Sequence, residues 1–242
     1  DDSNCIGAAI GAALQIAPRK TQDFSIPTLY LGPQCTDGTR VIKKARRNKR
    51  IVIARKSSDS DIARLLKRGA VIGRCIGKME FGQRALGNRS ILADPTFPDI
   101  VAKINAMIKS RDFWMPFAPV VLDTFSKQYL INPNNNQSPH MTIGFQTTQK
   151  GWEAMKYACH PADKTARAQI LTHADNPQFY ALVKAFARLT GRGALLNTSF
   201  NLHGYPIVTS ALQAYEVFCN TELEGLLLEE GLLLKKTVCS DP

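Results

Sequence analysis

The sequence predicts a mixed fold of helices and strands, α/β or α+β. Three observations predict it. Short apolar runs of strand length alternate along the chain with longer segments of helical periodicity. The composition, 44% hydrophobic and 21% charged over 242 residues, is that of an ordinary globular chain and excludes disordered, collagen-like and coiled-coil classes. No internal repeat points to a solenoid. A chain this long buries roughly 70–75% of its unfolded surface, so its core needs no disulfide or metal staple. No stretch approaches the ~20 apolar residues of a membrane span.

The elements follow in order. Residues 5–15, CIGAAIGAALQ, read as an apolar helix without a polar face, expected to pack tightly against something. Residues 16–39 read as a connector. Ser57 to Ser60 offer an N-cap for a helix carrying Ile62, Leu65 and Leu66 and stopped at Gly69. Ala70 to Gly77 reads as a strand. Residues 97–109 place Ile100, Ile104, Met107 and Ile108 at helical spacing. Phe117 to Leu122 and Met141 to Thr148 read as strands around a polar loop at 132–138, and Arg167 to Thr172 as another. Residues 176–190 form an amphipathic helix, with Asn176 as cap, Pro177 in its first turn and Gly191 as its stop. Ala194-Leu195-Leu196 is a buried strand, Thr209 or Ser210 caps a helix through Phe218, and GLLLEEGLLLKK closes as a hairpin.

The formal net charge is +11. Arg40 to Lys56 hold nine Lys/Arg and no acid; outside that stretch 22 Lys+Arg face 20 Asp+Glu, an excess of +2. The excess is therefore local, either a solvated face or a polyanion contact. Six scattered cysteines, 5, 35, 75, 159, 219 and 239, form no CxxC and no zinc-finger spacing, which suits a reduced, cytoplasmic protein. The opening Asp1-Asp2-Ser3-Asn4 lacks the basic n-region of a signal peptide.

Three segments could carry chemistry. In GKMEFGQRALGNRSILADP (77–95), glycines punctuate Lys78, Arg84 and Arg89; such a loop suits phosphate or carboxylate, or is simply a basic surface loop. In IKSRDFWMPFAP (108–119), Lys109 and Arg111 share a face if the segment is a strand and diverge if it is a helix end. In LLNTSFNLHGYPIV (195–208), a buried strand empties into Asn197, Thr198, Ser199 and Asn201, which orient a polar ligand or satisfy their own turn. His140, His160, His173 and His203 show no metal spacing, and no Ser/His/Asp or Cys/His order stands out.

These segments, with TARAQIL (165–171), resemble the C-terminal half of the NodU/CmcH/TobZ carbamoyltransferases over about residues 1–236. KSRDFWMPF and TSFN also resemble the K-x-R…P and S-x-N signatures of YrdC-like acyl-adenylate-forming domains. The resemblance implies a YrdC-like twisted mixed sheet with helices and a concave basic face over residues 37–242. It implies that residues 1–36 are the tail of a preceding actin/Hsp70-like carbamoyltransferase domain and a connector.

It further implies that Lys109, Arg111 and Arg167 act on ATP and carbamoyl phosphate to form carbamoyl-adenylate, with Asn197, Thr198, Ser199 and Asn201 binding the ligands and Mg²⁺ accompanying ATP. Arg84, Asn88, Arg89 and Ser90, in RALGNRS, become adjoining site or domain-interface residues. The carbamoyl group would pass to a hydroxyl of a small-molecule acceptor in an iron-containing preceding domain, of whose metal site Asp2 is a remnant; that domain, or a partner chain, is an expected partner. The chain departs from the family at Met115, where Arg is usual, at Gln83 for Pro, at His140 for Tyr and at Lys78 for Arg. Two other readings stand beside this one: an RNA- or nucleotide-binding YrdC-like module without turnover, and an inactive interaction fragment.

Overall fold

The computed structural model describes residues 4–17, 26, 28–110, 112 and 115–239, the side chains of 238 and 239 excepted. Its helices are α1 (Asn4–Ile16), α2 (Gly38–Ala45), α3 (Asp59–Lys67), α4 (Ile100–Ile104), α5 (Asp123–Tyr129), α6 (Gln149–Met155), α7 (Pro177–Thr190), α8 (Ala211–Asn220) and α9 (Lys236–Cys239). Its strands are β1 (Ile51–Ala54), β2 (Ile72–Cys75), β3 (Arg89–Ala93), β4 (Ala118–Leu122), β5 (Leu130–Ile131), β6 (Phe145–Thr147), β7 (Thr165–Ala166), β8 (Gln169–Leu171), β9 (Ala194–Ser199), β10 (Gly225–Leu228) and β11 (Gly231–Lys235).

Eight strands form one mixed sheet in the order β1-β11-β10-β2-β3-β9-β4-β8, and β5-β6-β7 form a small antiparallel sheet beside it. In the large sheet β10 runs parallel to β2 and β4 to β8; the other neighbours are antiparallel. Successive side chains along a strand point to opposite faces, and both faces are covered. Ile91 and Ala93 of β3, Leu196 of β9 and Leu226 of β10 join Ile42 of α2, Ile104 of α4 and Phe218 of α8 in one core. Leu92, Leu195 and Leu227 join Leu66 of α3 and Phe179, Val183 and Phe186 of α7 in the other. That is why the central strands read as unbroken apolar runs rather than alternating ones.

Local chemistry sets the ends of the helices. Ser58 and Asp61 form a reciprocal capping box on α3, with Ser58 N–H donating to Asp61 Oδ2 at 2.9 Å and Asp61 N–H to Ser58 Oγ at 3.3 Å. Asn176 Oδ1 accepts from Phe179 N–H at 3.0 Å to cap α7, which Gly191 ends in the left-handed conformation at φ +72°. Ser210, not Thr209, caps α8. The hairpin at the end of the chain pairs Leu228 with Gly231.

The structure departs from the sequence reading in four places. Within the basic stretch, to which the sequence assigned no element, α2 buries Val41, Ile42 and Ala45 and turns Arg40, Lys43 and Lys44 outward, and β1 follows as an edge strand flanked by exposed cations. Segment 77–95 is only partly a loop, because Arg89 to Ala93 become the centre of the large sheet. The helix at 100 widens into a π turn over Asn105–Lys109. Finally, α1 forms, yet none of its residues is buried in this chain. No helix among the described residues is long and apolar enough to cross a membrane.

Candidate anion-binding site

Lys109 is the last residue of the π turn. The extra residue in that turn brings both Ile108 and Lys109 inward, and Ser110 ends it with a left-handed backbone at φ +44°. The lysine is 1% exposed. Its ammonium donates to Asn201 Oδ1 at 2.7 Å and to Ser199 Oγ at 3.1 Å, while Ser199 Oγ donates to the same Asn201 oxygen at 2.6 Å. Asn201 is fixed in turn, since its Nδ2 donates to the carbonyls of Leu202 and Tyr205. A long flexible cation is thus held in one direction before any ligand arrives.

Arg84 is presented by the loop between β2 and β3. The loop is pinned by buried side chains. Glu80 Oε1 accepts from the N–H groups of Leu86, Asn88 and Arg89 at 2.8, 2.7 and 3.1 Å. Asn197 Nδ2 donates to Ala85 O, Tyr30 Oη and Gln169 Nε2 to Leu86 O, and Arg74 to Gly87 O. Ser90 Oγ accepts from Gly87 N–H. Burial pulls the Arg74 guanidinium down to about 10 against the opposing pull of the Glu80 carboxylate, and burial pushes the Tyr30 phenol well above its usual range. Gly87 closes the loop at φ +118°, where a Cβ would lie 2.3 Å from the Phe179 ring.

Arg167 lies between β7 and β8. It lines a cleft of about 530 Å³ together with Arg84, Lys109, Asn201, His203 and His160. Among the described residues lining it there is no carboxylate, while Lys109, Arg84 and Arg167 are cations, so the cleft favours negative charge. His160 Nδ1 lies 3.2 Å from Asp163 at the rim. Arg84 and Arg167 also border a second, more apolar cleft of about 470 Å³ with Leu29, Phe81, Leu86 and Met141 on its walls. His140 lines this second cleft, and burial lowers its imidazole pKa.

The structure therefore brings Lys109, Arg167, Ser199, Asn201 and Arg84 to one place. It does not bring Asn88, Arg89, Ser90, Asn197 or Thr198 to the wall of the cleft. Arg89 is fully buried in β3, and its guanidinium donates to the carbonyls of Pro33, Ile76, Gly77, Asn88 and Thr209. It ties the connector, the sheet and the entry to α8 together. Asn88 and Asn197 brace the Arg84 loop. Arg111 and Asp2 lie outside the described residues. Among those residues no group of three or more His, Cys, Asp or Glu is placed to hold a metal ion.

Sequence reasoning missed Glu80 and Arg74, whereas His140 and His203 already stood out by lying within or beside polar loops. For Glu80 and Arg74 no local signal exists, because their partners are set by the fold.

A family model for the carbamoyltransferase C-terminus matches residues 63–235, and the chain belongs to that family. Among its relatives, nodulation protein NolO of Bradyrhizobium diazoefficiens is 34% identical over 236 residues, covering 95% of this chain and 43% of NolO. The Methanocaldococcus jannaschii protein MJ1058 is 36% identical over 250 residues, covering 98% of this chain and 39% of that protein. The chain thus spans well under half the length of these relatives. Among solved structures, E. coli YciO superposes with a TM-score of 0.51 at 16% identity, over 72% of this chain and 77% of YciO. Full-length HypF in its phosphate- and nucleotide-bound form gives 0.50 at 14% identity, over 71% of this chain and 21% of HypF. The fold is therefore the YrdC-like mixed sheet of these two proteins.

Proposed function

We propose that the cleft binds ATP and carbamoyl phosphate and makes carbamoyl-adenylate, as part of an O-carbamoyltransferase. The observation that carries this is the convergence of Lys109, Arg84 and Arg167 on one cleft whose described lining holds no carboxylate. Both substrates are polyanions, and guanidinium forks and an oriented ammonium are the groups that hold such charge. HypF, similar in fold, is known in a phosphate- and nucleotide-bound form, which fits the same reading.

The chemistry balances without a protein nucleophile. Water attacks carbamoyl phosphate, the bond to phosphate breaks, and carbamate and inorganic phosphate result. A carbamate oxygen then attacks the α-phosphorus of ATP, and pyrophosphate leaves. Two anions must approach one another, so the task of the protein is positioning and charge neutralisation. Lys109 and the two arginines supply the charge, and Ser199 and Asn201 keep the lysine aimed. Magnesium would accompany the ATP phosphates. The carbamoyl group would then pass to a hydroxyl of a small-molecule acceptor bound outside this cleft.

The test is pyrophosphate release by this chain from ATP and Mg²⁺, with and without carbamoyl phosphate. Release that requires carbamoyl phosphate is the expected result. No release, or release indifferent to carbamoyl phosphate, overturns the reading.

A further inference from the structure

Two cysteines distant in sequence meet beneath the connector that leads into α2. Gln34 forms an antiparallel bridge with Lys78, and the N–H of the next residue, Cys35, donates to Gly77 O at 3.1 Å. Cys75 ends β2. Their sulfurs lie 3.5 Å apart, with Cys75 wholly buried and Cys35 8% exposed. A disulfide requires about 2.05 Å, so roughly 1.5 Å of closure is needed. Cys35 lies in irregular chain, where small torsional changes supply such a shift more readily than in the strand.

The charges around the pair favour reaction at Cys35. A hydrogen bond from the Cys75 thiol holds the Cys35 pKa down against burial, and Arg89 adds to that pull; the carboxylates of Asp37 and Glu230 oppose it. The Cys75 thiol is pushed the other way by its bond to Cys35 and by burial. Cys35 is also the more exposed of the two, so the more reactive sulfur is the more accessible one.

We propose that Cys35 and Cys75 form an oxidation site at which hydrogen peroxide closes an intramolecular disulfide that clamps the connector to the sheet. The Cys35 thiolate attacks one peroxide oxygen. The O–O bond breaks, hydroxide leaves and takes up a proton, and Cys35 becomes a sulfenic acid. The Cys75 sulfur then attacks the Cys35 sulfur. The S–S bond forms, and the sulfenic oxygen leaves as water with the Cys75 proton. Two thiols and one peroxide give one disulfide and two waters. The clamp joins the chain ahead of α2 to the root of the loop that carries Arg84.

The experiment treats the reduced chain with hydrogen peroxide, alkylates remaining thiols under denaturing conditions and maps the peptides by mass. The expected product has lost 2 Da, carries a Cys35–Cys75 cross-link that dithiothreitol reverses, and melts roughly 5 °C higher than the reduced chain. Cys35→Ser and Cys75→Ala each abolish that cross-link, the first surviving as a control if the second fails to fold. Full alkylation of both thiols after peroxide overturns the site. So does a cross-link that joins other cysteines instead. A mapped Cys35–Cys75 bond without a rise in Tm overturns the clamp.

Discussion

Lys109 meets Asn201 across 92 residues of chain, its ammonium 2.7 Å from the amide oxygen. The contact joins the π turn to the segment just after β9, and it leaves the ammonium at the wall of the cleft. In Lys109→Met the aliphatic stem still fills its place while the charge is lost. Affinity for carbamoyl phosphate, read by calorimetry, should fall at least about tenfold, as expected for one charged hydrogen bond of ~1.5–3 kcal/mol. The thermal midpoint should move little. Unchanged affinity in both Lys109→Met and Arg167→Ala would remove the cleft as the binding site.

Glu80 organises the Arg84 loop rather than touching a ligand. One of its oxygens receives three backbone N–H groups, all of them buried. Glu80→Ala strands those donors, and each buried donor left without a partner costs about 1–3 kcal/mol. Urea unfolding should therefore show a loss of about 3 kcal/mol. Ligand affinity should weaken as well, because the loop no longer holds Arg84 in place. A loss below about 1 kcal/mol would mean that water replaces the carboxylate.

The helices with explicit caps were legible from the sequence, because Ser58 and Asn176 act on neighbours three residues away. The same holds for the hairpin around Glu229 and Glu230. What the sequence hides is long-range. Glycines at 77, 82 and 87 make the flanking segment look like a loop, yet Arg89 to Ala93 pair on both sides within the large sheet. Nothing local tells an arginine that binds an anion from one that satisfies carbonyls; only the positions of Pro33, Ile76, Gly77 and Thr209 do. Lys109 shows the converse. Its periodicity belongs to a helix end, and the π turn that brings it inward leaves no signature in residue type.

Gly87 permits both the loop and the packing of α7. Its φ of +118° is costly for any side chain, and an added methyl meets Phe179. Gly87→Ala should destabilise the chain by about 3 kcal/mol, combining backbone strain with overpacking. Pairing it with Phe179→Leu should recover part of that loss. If the double variant is no more stable than the sum of the singles predicts, the clash is not the cause.

Asp37 stands just ahead of α2 but caps a different helix. Its two oxygens accept from Ala211 and Leu212 N–H at 2.9 and 3.0 Å, at the start of α8. Burial pushes its pKa up, but these backbone bonds outweigh it and hold the carboxyl below its ordinary value of 3.8. A carboxylate depressed in the folded state stabilises it fully above the unfolded pKa. That stabilisation is lost as pH falls through the unfolded value toward the folded one, because the unfolded chain takes up the proton first. Asp37→Ala should therefore cost about 2 kcal/mol at pH 7, in the range of a lost cap. Asp37→Asn keeps one acceptor and should cost less. The gap between wild type and Asp37→Asn should narrow as pH falls past the ordinary carboxylate value of 3.8, because the unfolded chain then takes up the proton before the folded one. Urea unfolding of the three chains between pH 3 and pH 7 measures this, and a gap that stays constant across that range would show that the charge contributes nothing to the cap.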